Sequence, residues 1–372
     1  MKKTTQNHAI SPFKGVAYFL FSVLLLSSGC KKIQDHKSKV INNFEQVNLV
    51  ANNNKYHAAR IDPKLLNAWG LAFSPNGIAW ISSEGAGVST VYDKEGLEVR
   101  PPVAIPSPGA PTGGHPTGVV FNGSADFVLS NGQPARFIFV GDDGVLSGWN
   151  GAAGNTAIKV LNNSATSVYL GLALANDGGA NFLYAANFKT SKIDVFDKNF
   201  AQVMTKPFKD PAIPAGYAPF NIQTIGDKLY VMYAKVAANG DEQVGAGLGY
   251  VDIYNTNGTL VKRFASKGPL NAPWGVAQVS ASFFDDDLKS NESKESGILV
   301  GNFGDGRINV YTMDGKFVGQ LGSHGHAIEI EGLWAISFPP VTATTIDPNR
   351  LYFTAGPEDE VDGLFGYIKM KN

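Results

Sequence analysis

The 372-residue chain is short of several things, and each shortage removes a class of chemistry. It has one cysteine, Cys30, so everything downstream lacks disulfides, Cys–metal centres and thiol nucleophiles. Charged residues are scarce at 17%, and the formal net charge is −1. No basic surplus exists to meet a phosphate backbone, so nucleic acid is not an expected partner. The apolar run Val16 to Leu26 is eleven residues long, which spans about half of a ~30 Å hydrocarbon core and is too short for an ordinary transmembrane helix. There is no G-x-S-x-G, H-E-x-x-H or Cys/His dyad to commit the chain to nucleophilic or zinc-protease chemistry. The glycines of Gly245-Ala246-Gly247-Leu248-Gly249 are followed by no helical pattern, which excludes a dinucleotide fingerprint.

What is present begins with an address. Lys2, Lys3 and Lys14 precede the apolar run in the manner of a signal peptide. The run ends in Leu26-Ser27-Ser28-Gly29-Cys30, which resembles the lipobox of bacterial lipoproteins, with Ser27 standing where that motif usually has Leu. The resemblance implies a signal peptide over residues 1–29, cleavage before Cys30 and a lipid on its thiol. The expected address is then the bacterial cell envelope, lipid-anchored, with Lys31 pointing to the outer membrane and its periplasmic or surface face. Residues 30–43 are polar and without periodicity, and read as a lipidated Cys and flexible tether. Losing three Lys from 31 basic residues leaves 28 against 32 acidic ones, a net of −4.

A repeat decides the fold class. A short apolar segment centred on a small residue recurs six times, with Trp69, Thr117, Leu170, Phe220, Trp274 and Trp334 each preceding the small position. The spacings are 48, 53, 50, 54 and 60. Each segment is followed by a β-rich run and then by a third run ending in an aromatic: Tyr92, Trp149, Phe196, Tyr254, Tyr311 and Tyr367. Runs such as Ile308-Asn309-Val310-Tyr311 alternate as a half-buried strand does. Four strands about every 50 residues describe the blades of a propeller, here an all-β, six-bladed one over 44–372. The small residue has a reason: innermost strands converge on the channel, where Gly or Ala admits the neighbouring blade. The sixth unit stops without a fourth strand, while Phe44 to Val50 precedes the first unit without a blade. Pairing these two ends is expected to close the ring and remove an exposed sheet edge.

The segments NAWGLAFSP, PTGVVFNGS, YAPFNIQ, GPLNAPWGVA, GNFGDGRINVY and LYFTAGP…GLFG are similar to NHL-like repeats. They resemble more closely an uncharacterised family of exported bacterial six-bladed propellers, over roughly residues 44–368. The resemblance implies fold and export, and assigns no activity.

In propellers, ligands gather at the channel mouth where the loops entering the inner strands meet the loops between second and third strands. The entering loops hold Asn67, His115, Asn271 and the run Ser323 to Glu331. The other loops hold Glu84, Asp142, Asp143, Asn187, Asp241, Glu242, Asn302, Asp305, Glu358, Asp359 and Glu360. Two metal readings arise: Ca²⁺ on oxygens such as Asn302 and Asp305, or a transition ion on His115, His324, His326 and Glu331, with strand alternation setting both later His on one face. A third reading is plain loop polarity, since Asn, Asp and Gly are turn formers. Glu84, Asp142, Asn187 and Glu358 are the expected ligand rim. Trp69, Trp274 and Trp334 are expected in the core rather than in a sugar-binding funnel. Asp285-Asp286-Asp287 reads as a solvated insertion on the opposite face. Together these features suit a non-catalytic binding or scaffold module for a glycan, a peptide or an envelope protein. The rival is a metal-dependent hydrolase, lactonase or lyase at the same mouth.

Overall fold

The computed structural model describes residues 39–284 and 296–371. The expected signal peptide, Cys30, most of the expected tether and Asp285 to Asp287 lie outside the described residues. Six mainly antiparallel sheets follow one another along the chain. Their inner strands are Ala68–Phe73, Pro116–Phe121, Tyr169–Asp177, Tyr217–Ile225, Pro273–Val279 and Leu333–Ser337. These six touch in cyclic order, the last against the first, so the sheets form the blades of a six-bladed β-propeller.

The ring closes as the chain ends suggest. Phe44–Ala51 pairs antiparallel with Leu364–Met370, from Phe44 opposite Met370 to Ala51 opposite Leu364, and supplies the outer strand of blade six. The chain between this strand and blade one reinforces the join. The Asp362 carboxylate, buried beside it, accepts from the Asn52 amide (2.7 Å), the Asn53 amide (2.8 Å), the Tyr56 hydroxyl (2.7 Å) and Lys55 (3.2 Å). Burial alone would push this carboxyl up, but the four donors outweigh it and hold it well below its usual range.

Three expectations need correcting. The tether does not run free to residue 43: Val40–Ile41 pairs parallel with the outer strand of blade five, and Ile41 is buried. Blade three has three strands, its fourth reduced to a single bridge between Phe196 and Gln202. The alternating strands are not half-buried. Ile308, Asn309, Val310 and Tyr311 are all buried, because each blade is sandwiched between two others. The polar face survives by hydrogen bonding: Asn309 donates to the Pro269 carbonyl (3.3 Å) and accepts from Gln320 (2.9 Å).

Six apolar clusters fill the six interfaces between blades, and a seventh lies on the axis. All six inner strands change register at the repeated small residue. A bulge at six equivalent places turns the preceding side chain towards the axis. Close approach explains the glycines. A Cβ on Gly70 would stand 2.3 Å from the Thr117 carbonyl oxygen, and one on Gly118 would stand 2.6 Å from the Leu172 nitrogen.

The converging side chains plug the channel. Trp69 and Trp334 stack at 3.8 Å, Phe303 stacks on Trp334 at 4.1 Å, and Trp274 meets Trp334 edge-on at 5.9 Å. The Trp334 indole donates to Asn67 (2.9 Å) and that of Trp274 to the Leu170 carbonyl (3.0 Å). Just below the plug only about 10 Å³ of free space remains, room for no more than about one water. The core reading of the three tryptophans holds, and their place in the core is the axis.

Candidate functional site

Above the plug the inner-strand ends and the connecting loops enclose two adjoining cavities. One, of about 770 Å³, has Trp69, Leu170 and Phe188 at its base and Glu84, Asp142, Asp241, Glu242, Asp359 and Glu360 around it. The other, of about 610 Å³, shares Val244, Asp359 and Glu360 and adds Asp305, Glu329 and Glu331. Among the described residues, no Lys or Arg lines either cavity.

Each acid is delivered by a loop whose geometry the blades set. Glu84 opens the turn between the second and third strands of blade one, Asp142 the matching turn of blade two, and His115 immediately precedes blade two's inner strand. Neighbouring blades therefore bring these three together, with ligating atoms all within 4.8 Å of one another. His115 Nδ1 and Glu84 Oε1 are 2.5 Å apart. The other Glu84 oxygen accepts from the Asn67 amide (3.0 Å), which also donates to Glu360 (2.9 Å). Asn67 is buried and held by Trp334, so a chain of hydrogen bonds runs from the axial plug to the rim.

Blade four contributes by an overhang. Its second strand, Lys228–Val236, outruns the sheet and pairs with Glu242–Gln243 to make a small hairpin. That hairpin puts Asp241, Glu242 and Val244 over the mouth. Blade six contributes by strain: Glu358, Asp359 and Glu360 are consecutive residues in the left-handed region, at φ 57°, 52° and 67°. Such residues cost about 1–2 kcal/mol each and persist only where surrounding contacts over-determine them. Here the Glu358 N–H donates to Glu331 (3.1 Å), the Glu360 N–H to the Gly356 carbonyl (3.1 Å), and Asn67 holds the Glu360 carboxylate.

Crowded, partly dry carboxylates resist ionisation. Burial, with the charge of Glu84 beside it, pushes Asp142 up to about 7. Burial, then the charges of Glu360 and Asp241, pushes Glu242 up to about 7. Burial also raises Asp143, Asp305 and Glu360. The hydrogen bond to Glu84 raises His115, which favours the imidazolium.

The remaining candidates separate. Asn302 is fully buried and tied to the Pro269 carbonyl (2.8 Å), the Asn271 N–H (3.1 Å) and Asp305 (3.0 Å), so it shapes the loop rather than facing the cavity. Asn187 is likewise consumed, donating to Ser167 (3.0 Å) and Asp194 (2.8 Å). Asp305 and Glu331 line the second cavity, whereas Glu358 points to Lys55 at 3.6 Å. His324 and His326 do not join His115. They sit on a tight hairpin at the edge of blade five, where Ser323 pairs with His326 and His324-Gly325 forms the turn at φ 51° and 83°. His324 contacts Ser323 (3.1 Å) and Lys371 (3.2 Å), and neither His lines either of the two mouth cavities. Strand alternation does not apply across a turn, so the expected His pair on one face is absent. The blade-four hairpin and Val244 were not anticipated; the Asn239-Gly240 turn was the one available signal.

Fold and mouth together define a six-bladed β-propeller with a plugged channel and an acidic, cavity-bearing end. No family model matches the chain. An uncharacterised protein of Acanthamoeba polyphaga mimivirus is 35% identical over 339 residues, covering 87% of this chain and 80% of its own. A second from the same virus is 33% identical, covering 87% and 85%. The chain belongs to the family of these mimivirus proteins. Among solved structures, an auxiliary nutrient binding protein from Bacteroides ovatus superposes with a TM-score of 0.52 at 13% identity, over 89% of this chain and 78% of that one. That likeness concerns the fold alone.

Proposed function

We propose that this protein is a non-catalytic binding propeller that takes its ligand at the acidic mouth, and that it is held at a bacterial envelope by a lipid on Cys30. One observation carries the binding reading: carboxylates from blades one, two, four, five and six converge on two adjoining cavities that no Lys or Arg among the described residues lines. A plugged channel supports a terminal site rather than a passage. Of a glycan, a peptide and an envelope protein, the acid rim favours a partner presenting cations, such as a Lys- or Arg-bearing peptide segment. The apolar base of Trp69, Leu170 and Phe188 suits the alkyl stem of such a side chain.

The test is titration of the purified protein with basic, neutral and acidic peptides at two salt concentrations. Basic peptides should bind, more weakly at high salt, and Glu360→Gln should weaken them several-fold. Equal binding of neutral and basic peptides would remove the reading. The anchor is tested separately, by fatty-acid labelling of the wild type and of Cys30→Ala, with label expected only in the former.

A second reading, metal-dependent hydrolase, lactonase or lyase chemistry, is favoured by the convergence of Glu84, His115 and Asp142. Turnover of an ester or lactone panel that EDTA abolishes would establish it over pure binding.

A further inference from the structure

We infer that Glu84, His115 and Asp142 form a site for a first-row divalent transition ion, Zn²⁺ in preference to Ca²⁺, with one coordination position open to the cavity. The inference deepens the reading of this mouth as the ligand-binding end and rests on it for that open position; the ion site itself is measurable alone.

The donor set is the first argument. One imidazole nitrogen and two carboxylates, with ligating atoms within 4.8 Å of one another, are the mixed N/O ligands that zinc and its neighbours take. Calcium wants six to eight oxygens, more than this corner offers. The second argument is support behind the ligands. Asn67, itself buried and held by the Trp334 indole (2.9 Å), fixes the outer oxygen of Glu84 at 3.0 Å. The His115 backbone N–H donates to Asp143 (3.3 Å), whose other oxygen accepts from the Val145 backbone N–H (3.0 Å), which fixes the loop that carries the imidazole. Ligating carboxylates are commonly oriented by an outer contact of the kind Asn67 makes to Glu84.

The third argument is room for adjustment. His115 and Glu84 now touch at 2.5 Å, whereas two ligands about a tetrahedral zinc lie about 3.3 Å apart. The His115 side chain is 54% exposed, so a small outward rotation admits the ion between the two groups. Three protein ligands beside a cavity of about 770 Å³ leave the fourth position facing that cavity, as in open rather than closed zinc sites.

The site opens onto the cavity that Glu84 and Asp142 line with Trp69 at its base. An oxygen donor, water or a carboxylate or hydroxyl of the ligand, is the partner that completes a mixed N/O set there.

The experiment loads the full chain, in detergent, with Zn²⁺ or Co²⁺ and dialyses it. Metal is measured by elemental analysis and Co²⁺ geometry by visible absorption. The wild type should retain one equivalent, and millimolar Ca²⁺ should not displace it. His115→Ala and Asp142→Asn should each weaken binding at least tenfold without a lowered melting temperature, while Glu358→Gln should bind as the wild type does. Substoichiometric zinc in the wild type, or unaltered binding by His115→Ala, would overturn the inference. Basic-peptide binding that persists without zinc retention removes the ion site and leaves the mouth reading standing. Zinc retention without any peptide binding does the reverse for the peptide, and the ion site stands.

Discussion

The same six inner strands build both ends of the channel, and the ends differ in kind. At one end, carboxylates surround about 770 Å³ of cavity and include groups pushed up to about 7. At the other, about 280 Å³ is lined by Leu71, Phe73, Val119, Phe121, Leu174 and Phe338 among others, with no ionisable side chain among the described lining residues. The strands impose a shared geometry at both ends, so the contrast comes from the loops. Keeping uncompensated acids in a half-dry mouth works against stability, and the apolar end carries no such burden. The difference is what supports the proposal that the acidic end is the binding end.

The comparison breaks most severely at the wall between the two ends. Trp334→Ala removes the centre of the axial plug and the indole bond to Asn67, and should cost about 3–5 kcal/mol in denaturant unfolding. The same variant should slacken Glu84 and Glu360, so its loss of basic-peptide affinity should exceed that of Glu360→Gln alone. Next comes the ring closure that holds both ends in shape. Asp362→Ala strips four donors of their acceptor and should cost about 2 kcal/mol near neutral pH. Because the folded-state carboxyl is depressed, that contribution is present above the unfolded value of about 4 and is lost as pH falls below it; the gap between wild type and variant should narrow in acid.

Glu242→Gln sharpens the contrast with the opposite sign. A raised acid is most favourable to folding below its unfolded value and loses that advantage as pH rises through about 7. The variant should therefore gain on the order of 1 kcal/mol at pH 8 and nothing at pH 4, read from melting curves. At the apolar end, Ser337→Ala should move stability by no more than about 0.5 kcal/mol, with no dependence on pH or salt.

Much of this fold was legible in the sequence, because a repeat announces itself six times and a missing outer strand had a single candidate, Phe44 to Val50. The plug was legible too, since Trp69, Trp274 and Trp334 occupy one repeat position. The mouth was legible only as an inventory of loops. Which acids meet depends on the neighbouring blade: His115 meets Glu84 because one blade's entry loop abuts the preceding blade's turn. His324 and His326 misled for a local reason, a two-residue turn read as continuing strand. The left-handed run Glu358 to Glu360 left no trace, having no glycine to signal it.

The closure has a consequence in time. Asn52 and Asp362 bond across 310 positions of sequence, so the outer strand of the final blade, made first, waits for its partner Leu364–Met370 until the other five blades have been made. A nascent polypeptide of this kind emerges from the ribosome as an open arc, its two rims unpaired, and only its last stretch lets the circle snap shut. Truncating even the terminal dozen residues should leave a sticky crescent instead of a slightly smaller disc.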